Sequence, residues 1–240
     1  MPNINGKRAL ITGGGTGIGL GIAQALTAAG AEVAITGRRE DILREAAAGA
    51  PWLTHVVDVA DRKSVAALFA WADESFGPID ILVCSAGMNI KNRMLCEMRP
   101  EQWDEVMAVN ATGVYNCLYY ALPQMRERND GLVFIISSVA GKRAAPLGGV
   151  AYNASKFAAT GLGISAWSEE SPHGIRITNI YPGEVDTPIL DHRPQPVSDE
   201  RRATMLRPED IGAMVAAIAQ LPPRAHVPEV VIKPTAQAYV

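Results

Sequence analysis

Short apolar runs alternate along this chain with stretches in which apolar residues recur every third or fourth position. That alternation predicts strands followed by amphipathic helices. Lys7 to Thr12 reads as a strand, and Ile18 to Ala29 as a helix with Ile22, Ala25, Leu26 and Ala29 on one face. The pattern continues with a strand over Glu32 to Thr36, a helix over Glu40 to Ala48, a strand over Leu53 to Asp58, a helix over Lys63 to Phe76 and a strand over Ile79 to Cys84. A long helix is predicted over Pro100 to Arg128, kinked or locally broken at Pro123, which cannot donate to the ladder. Gly131 to Ser137 is almost continuously apolar, as in a parallel strand covered on both faces. A helix carrying Tyr152 and Lys156 extends to about Glu170, followed by a strand over Ile175 to Ile180. A helix opens at Arg207-Pro208-Glu209-Asp210, and a seventh strand covers Val230 to Ile232.

Units of this length and order make a doubly wound α/β fold. No repeat, linker or low-complexity tract divides the chain, so residues 1–240 read as one domain. The irregular stretch is Pro188 to about Arg202. It follows a strand, where loops over ligands lie, and residues 184–205 read as a substrate-binding loop.

Composition narrows the classes. The chain is 48% hydrophobic but only 6% aromatic, so its core must be mostly aliphatic. A net charge of −3 with no basic stripe argues against nucleic acid. Cys84, Cys96 and Cys117 form neither a paired framework nor a CxxC motif. With no apolar signal segment and no window approaching a membrane span, the chain reads as cytoplasmic.

The chemistry starts at Thr12-Gly13-Gly14-Gly15-Thr16-Gly17-Ile18-Gly19, a glycine-rich turn between a strand and a helix. Its amides, with the helix N-terminus behind them, suit a dinucleotide pyrophosphate. A P-loop is excluded because no Lys-Ser or Lys-Thr follows the final glycine. The second strand ends in Thr36-Gly37-Arg38-Arg39, with no carboxylate to hold the ribose hydroxyls of NAD. Two guanidinium groups there favour the 2′-phosphate of NADP(H), with NAD as the alternative. The other reading of the arginines is a solvated helix start with Glu40 and Asp41 as partners, and Thr16 supplies no second basic contact. Asp58 and Val59 end the third strand, where they suit an adenine. Ser85, Ala86 and Gly87 end the fourth, where small residues let a cofactor approach.

At the other end of the chain, Tyr152 and Lys156 stand four residues apart on one helix face. Together with the glycine turn, these residues resemble the short-chain dehydrogenase/reductase family, and the resemblance covers nearly the whole chain. The family's TGxxxGxG turn falls on Thr12, Gly13, Gly17 and Gly19, and its YxxxK pair on Tyr152 and Lys156. Its serine falls on Ser138, its helix-borne asparagine on Asn110, and its Pro-Gly after the sixth strand on Pro182-Gly183, with Val185 and Thr187 following towards the carboxamide. The resemblance implies a Rossmann-like three-layer domain with a seven-stranded parallel sheet, and a homotetramer or homodimer joined through the helices from Pro100 and Ala151. Tyr115, Leu118, Tyr119, Leu122 and Trp167 are candidates for the partner face, or for the core. One departure stands out: the family's usual Asn-Asn-Ala-Gly after the fourth strand is here Cys84-Ser85-Ala86-Gly87.

The resemblance implies that Tyr152 exchanges a proton with a carbonyl or alcohol oxygen, that Lys156 lowers its pKa and holds the nicotinamide ribose, that Ser138 orients the oxygen and that Asn110 holds a water linking Lys156 to solvent. The implied activity is hydride transfer between NADP(H) and a small carbonyl or alcohol. A reductase of 3-oxoacyl thioesters is the alternative within the class, and a silent nucleotide-binding regulator the alternative outside it. A serine hydrolase is excluded by the lack of a GxSxG elbow. His55, His173, His192 and His226 lack close metal-ligand spacing, so no metal is expected. Specificity should lie in 88–95, 144–150 and 184–202, where Arg193 is a candidate for a substrate carboxylate and Arg143 a second one at the edge.

Overall fold

The computed structural model describes residues 4–238. Seven parallel strands lie in the order β3-β2-β1-β4-β5-β6-β7: β1 Arg8–Thr12, β2 Glu32–Gly37, β3 Leu53–Val56, β4 Ile81–Cys84, β5 Gly131–Ile136, β6 Ile175–Pro182 and β7 Glu229–Ile232. The helices are α1 Gly17–Ala28, α2 Glu40–Ala47, α3 Arg62–Ser75, α4 Pro100–Met107, α5 Gly113–Arg128, α6 Val150–Glu170, α7 Asp199–Ala203 and α8 Pro208–Ala219.

Strand periodicity builds the three layers. Leu10, Leu82, Val133, Ile135 and Ile177 point to one face and pack with Val65, Leu68 and Phe69 of α3 and with Cys117, Ala121 and Met125 of α5. Ala9, Ile11, Ile81, Val83 and Phe134 point to the other, against Ile22 and Leu26 of α1, Leu43 of α2 and Ile211 and Val215 of α8. With both faces covered, all six residues of β5 are buried, as its apolar run predicts. The strand order reverses beside β1, which pairs with both β2 and β4, and a crevice opens there at the carboxyl ends of the strands.

Two expectations change. The long helix is interrupted at a π turn, Ala108–Thr112, and runs unbroken through Pro123. Pro123 lies on the exposed face of α5, where water can take up the carbonyl that its missing N–H leaves free. The stretch 188–202 is more ordered than expected. It contains a 3₁₀ turn, Pro188–His192, and the start of α7.

Of the candidate partner-face residues, Leu118 and Leu122 belong to the core, while Tyr115 and Tyr119 are exposed. Trp167 packs on the His226 ring. Phe157 and Ile164 of α6 are also exposed. Among the described residues no helix is long and apolar enough to cross a membrane, and no cluster of His, Cys, Asp and Glu could hold a metal ion.

Candidate active site

The glycine turn is shaped by how closely it lies on β4. Gly13 has φ +67°, and a Cβ there would fall 2.8 Å from the Ala86 Cα. Thr12 completes the join. Its Oγ1 accepts hydrogen bonds from the Ser85 and Ala86 amides at 3.1 and 3.2 Å and donates to the Val83 carbonyl at 3.3 Å. The backbone at Ser85 is therefore held by Thr12, whatever side chain stands at position 85.

Beyond the turn lies an open cleft. Gly13, Gly15 and Thr16 form one wall, Arg38 and Arg39 one end, Asp58 and Val59 the side, and Ala86, Gly87 and Met88 the floor. Apart from Met88, which belongs to the specificity segment 88–95, these are residues expected to meet a dinucleotide, gathered from the ends of four strands. Gly17, Ile18 and Gly19 continue into α1. Asp58 is partly engaged, since its carboxylate accepts from the Ala60 amide at 3.0 Å. Arg38 and Arg39 are exposed, and among the described residues neither makes an ion pair. Glu40, the local partner considered for them, pairs with Arg44 at 2.5 Å. A wall with no room for side chains, and two uncommitted cations at the tip of β2, fit a dinucleotide that carries an extra phosphate.

The far end of the floor touches the catalytic candidates. A Cβ on Gly87 would lie 3.5 Å from both the Lys156 Nζ and the Asn110 Oδ1. Lys156 is buried, donates to the Ile136 carbonyl at 2.8 Å and lies 5.6 Å from the centre of the Tyr152 ring. Burial lowers its pKa to about 8. Withdrawal from water pushes the Tyr152 phenol above its ordinary value, while a hydrogen bond with Ser138 and the charge of Arg93 pull it back. The tyrosine therefore stays protonated at neutral pH, and the cation that pulls its pKa down is Arg93, where the resemblance implies Lys156.

The two serines after β5 divide the work. Ser137 Oγ bonds to the Lys156 carbonyl and to Thr160, fixing α6 to the sheet. Ser138 Oγ accepts from the Ala140 amide at 3.1 Å and stands beside Tyr152. Asn110 occupies the π turn. Its Nδ2 donates to the Met88 carbonyl and to Ser155 Oγ, and its Oδ1 accepts from the Met88 amide. Both amide protons are thus spent on joining the β4 end to α6.

After β6, Pro182 ends the strand and the Gly183 amide donates to the Ile232 carbonyl at 2.7 Å. Val185 is buried. Thr187 lies against the glycine turn, its Cγ2 3.2 Å from where a Gly17 Cβ would be. The loop that follows is held by ion pairs. Glu184 binds Arg193 at 2.8 Å and also Arg201, while Asp186 binds Arg202 at 2.6 Å and Arg207 at 2.5 Å. Arg193 is therefore committed and does not offer a free cation to substrate. Sequence reasoning missed Arg93. It lies within the specificity segment 88–95, but nothing in the pattern marks a buried arginine.

The family model for short chain dehydrogenases matches residues 7–197. Glycine betaine reductase of Emericella nidulans is 34% identical over 241 residues, which cover 96% of this chain but only 19% of that much longer protein. Among solved structures, an alcohol dehydrogenase of the archaeon Thermococcus sibiricus complexed with 5-hydroxy-NADP superposes with a TM-score of 0.87 at 29% identity, covering 97% of this chain and 98% of the other. The 3-ketoacyl-(acyl-carrier-protein) reductase of Brucella melitensis complexed with NADH gives a TM-score of 0.87 at 27% identity, covering 96% and 98%. The chain belongs to the short-chain dehydrogenase family and is an NAD(P)-dependent oxidoreductase.

Proposed function

We propose that this enzyme interconverts a small carbonyl compound and its alcohol with NADP(H) as the preferred cofactor, and that Tyr152 is its acid and base. The observation that carries the reading is the meeting of Lys156, Tyr152 and Ser138 at the end of a cleft whose floor, Gly87, has no side chain to block it. Gly13, Gly15, Thr16, Gly17, Ile18 and Gly19 hold the pyrophosphate at the N-terminus of α1. Arg38 and Arg39 would hold the 2′-phosphate, Asp58 and Val59 the adenine, and Ser85, Ala86 and Gly87 would let the ribose approach the backbone. Pro182, Gly183, Val185 and Thr187 would hold the carboxamide. The bound cofactor supplies or accepts the hydride.

The chain's own groups do the rest. Ser138 Oγ orients the carbonyl oxygen. Tyr152 Oη holds a proton at neutral pH and gives it to that oxygen during reduction, and the Arg93 charge favours the phenolate left behind. Lys156 adds a second cation and reaches the nicotinamide ribose. Asn110 supports both by joining Met88 to Ser155. The reading includes a homodimer or homotetramer built on the exposed faces of α5 and α6, supported by Tyr115, Tyr119, Phe157 and Ile164. It also includes a cytoplasmic location, supported by three free cysteines.

Fluorescence titration with NADPH and NADH tests the cofactor assignment. At least tenfold tighter NADPH binding is expected, equivalent to about 1.4 kcal/mol. Equal or tighter NADH binding overturns the role of Arg38 and Arg39. Tyr152→Phe is expected to bind NADPH normally and to lose carbonyl reduction.

A further inference from the structure

Arg93 is a buried cation for which the described residues supply no counter-ion. It lies between β4 and α4 and is 8% exposed. Its Nε donates to the Ile90 carbonyl at 2.7 Å, one terminal nitrogen to Leu147 at 2.6 Å and the other to His192 at 2.9 Å. A guanidinium has five N–H bonds, so one remains on each terminal nitrogen. Carbonyl dipoles offset part of the cost of burying the charge, but a buried charge is ordinarily matched by an opposite one. Here the neighbouring charge is Arg193, of the same sign. Burial, and after it Arg193, hold the Arg93 ionisation below its ordinary value, while Tyr152 acts in the opposite direction. The one carboxylate bound to Arg193, Glu184, is shared with Arg201, so the three groups together remain positive.

The position of this cation gives it meaning. Its three carbonyl partners come from the three segments in which specificity is expected. Its own carbonyl accepts from the Val150 amide at 3.3 Å, at the first residue of the helix that carries Tyr152. Gly149, with φ +78°, leaves the space that Arg93 uses, since a Cβ there would fall 2.4 Å from the Arg93 Cβ. The acid/base tyrosine lies two residues beyond Val150.

Resting on the oxidoreductase reading above, we propose that Arg93 binds substrate and that the substrate is an oxo or hydroxy acid. Its carboxylate takes the two unspent N–H bonds of Arg93, and its carbonyl or hydroxyl oxygen meets Tyr152 and Ser138. The missing anion thus arrives with the substrate. Reduction takes a hydride from the cofactor at the carbonyl carbon and a proton from Tyr152 at the oxygen, leaving the carboxylate unchanged.

The test is kcat/KM with NADPH for pyruvate, acetoacetate and levulinate, each beside its methyl ester, in wild type, Arg93→Gln and Arg93→Lys. Charge-assisted hydrogen bonds predict that wild type prefers at least one acid over its ester by roughly ten- to a hundredfold. Arg93→Gln should bring that ratio close to one, and Arg93→Lys should keep part of it, having the charge without the planar fork. If Arg93 only ties loops together, acid and ester fall in parallel and the ratio holds, which overturns the proposal. A wild type that reduces every ester at least as well as its acid overturns it without any variant, even where Arg93→Gln fails to fold, and leaves the oxidoreductase reading intact. Turnover of neither acids nor esters by enzyme that binds NADPH removes both.

Discussion

Lys156 Nζ lies 5.6 Å from the centre of the Tyr152 ring and is fixed there by its 2.8 Å hydrogen bond to the Ile136 carbonyl. The ammonium is therefore held where it has few polar partners, and its pKa falls from 10.5 to about 8. Between these two values the unfolded chain binds more protons than the folded one, so this group makes stability rise with pH over that window. Below about pH 8 both states are charged and the full burial cost remains. In urea denaturation, the stability difference between wild type and Lys156→Met should therefore change between pH 8 and 10. Wild type should gain about 1 kcal/mol per pH unit relative to the variant. A constant difference across that range would show that Lys156 keeps its ordinary pKa.

Arg38 and Arg39 follow the last residue of β2, and among the described residues neither has an acidic partner. Their charge is available to a ligand and contributes little to the fold. Replacing both with alanine should leave the melting temperature within a degree or two. NADPH binding should weaken by roughly ten- to a hundredfold, the size of one or two charge-assisted hydrogen bonds, with NADH binding nearly unchanged. Parallel weakening of both cofactors would assign the pair to the pyrophosphate or to general attraction.

Gly13→Ala tests the turn itself. The new methyl would meet the Ala86 Cα at 2.8 Å and the Ala86 nitrogen at 2.9 Å, and both are backbone atoms that cannot rotate away. The positive φ adds strain of its own. The substitution should cost about 2 kcal/mol or more and should weaken both cofactors together, since Gly13 and Ala86 line the same cleft. Thermal unfolding and the two titrations read these effects, and an unchanged melting temperature would contradict the close approach.

The sheet was legible because parallel strands buried on both faces leave apolar runs, such as Leu132 to Ile136, that helices of this chain do not imitate. The glycine turn was legible because its residues are contiguous. The break at Asn110 was not. A π turn is a change of hydrogen-bond register that leaves no mark in the apolar pattern, whereas Pro123 leaves a strong mark and no break, because it faces water. Arg193 and Arg93 show the same limit for charges. One looked free in sequence and is paired with Glu184. The other looked unremarkable, and its environment is made by carbonyls from residues 3, 54 and 99 positions away.

Thr12 explains how the cleft floor tolerates serine at position 85. The Thr12 hydroxyl, on a residue only 1% exposed, takes the amides of Ser85 and Ala86 and gives its own proton to Val83. Thr12→Val keeps the volume and removes all three bonds, leaving the Ala86 amide without an acceptor and the Ser85 amide with the Val83 carbonyl at 3.2 Å. The cost should be about 1–3 kcal/mol, the size of one unsatisfied donor. Because Ala86 and Gly87 form the floor, NADPH should bind more weakly as well. Thr12→Ser keeps the hydroxyl and loses only a methyl group, so it should lie within about 1 kcal/mol of wild type. Chemical denaturation of the two variants separates packing from hydrogen bonding. A loss in serine with none in valine would mean that the methyl, and not the hydroxyl, holds β1 to the end of β4.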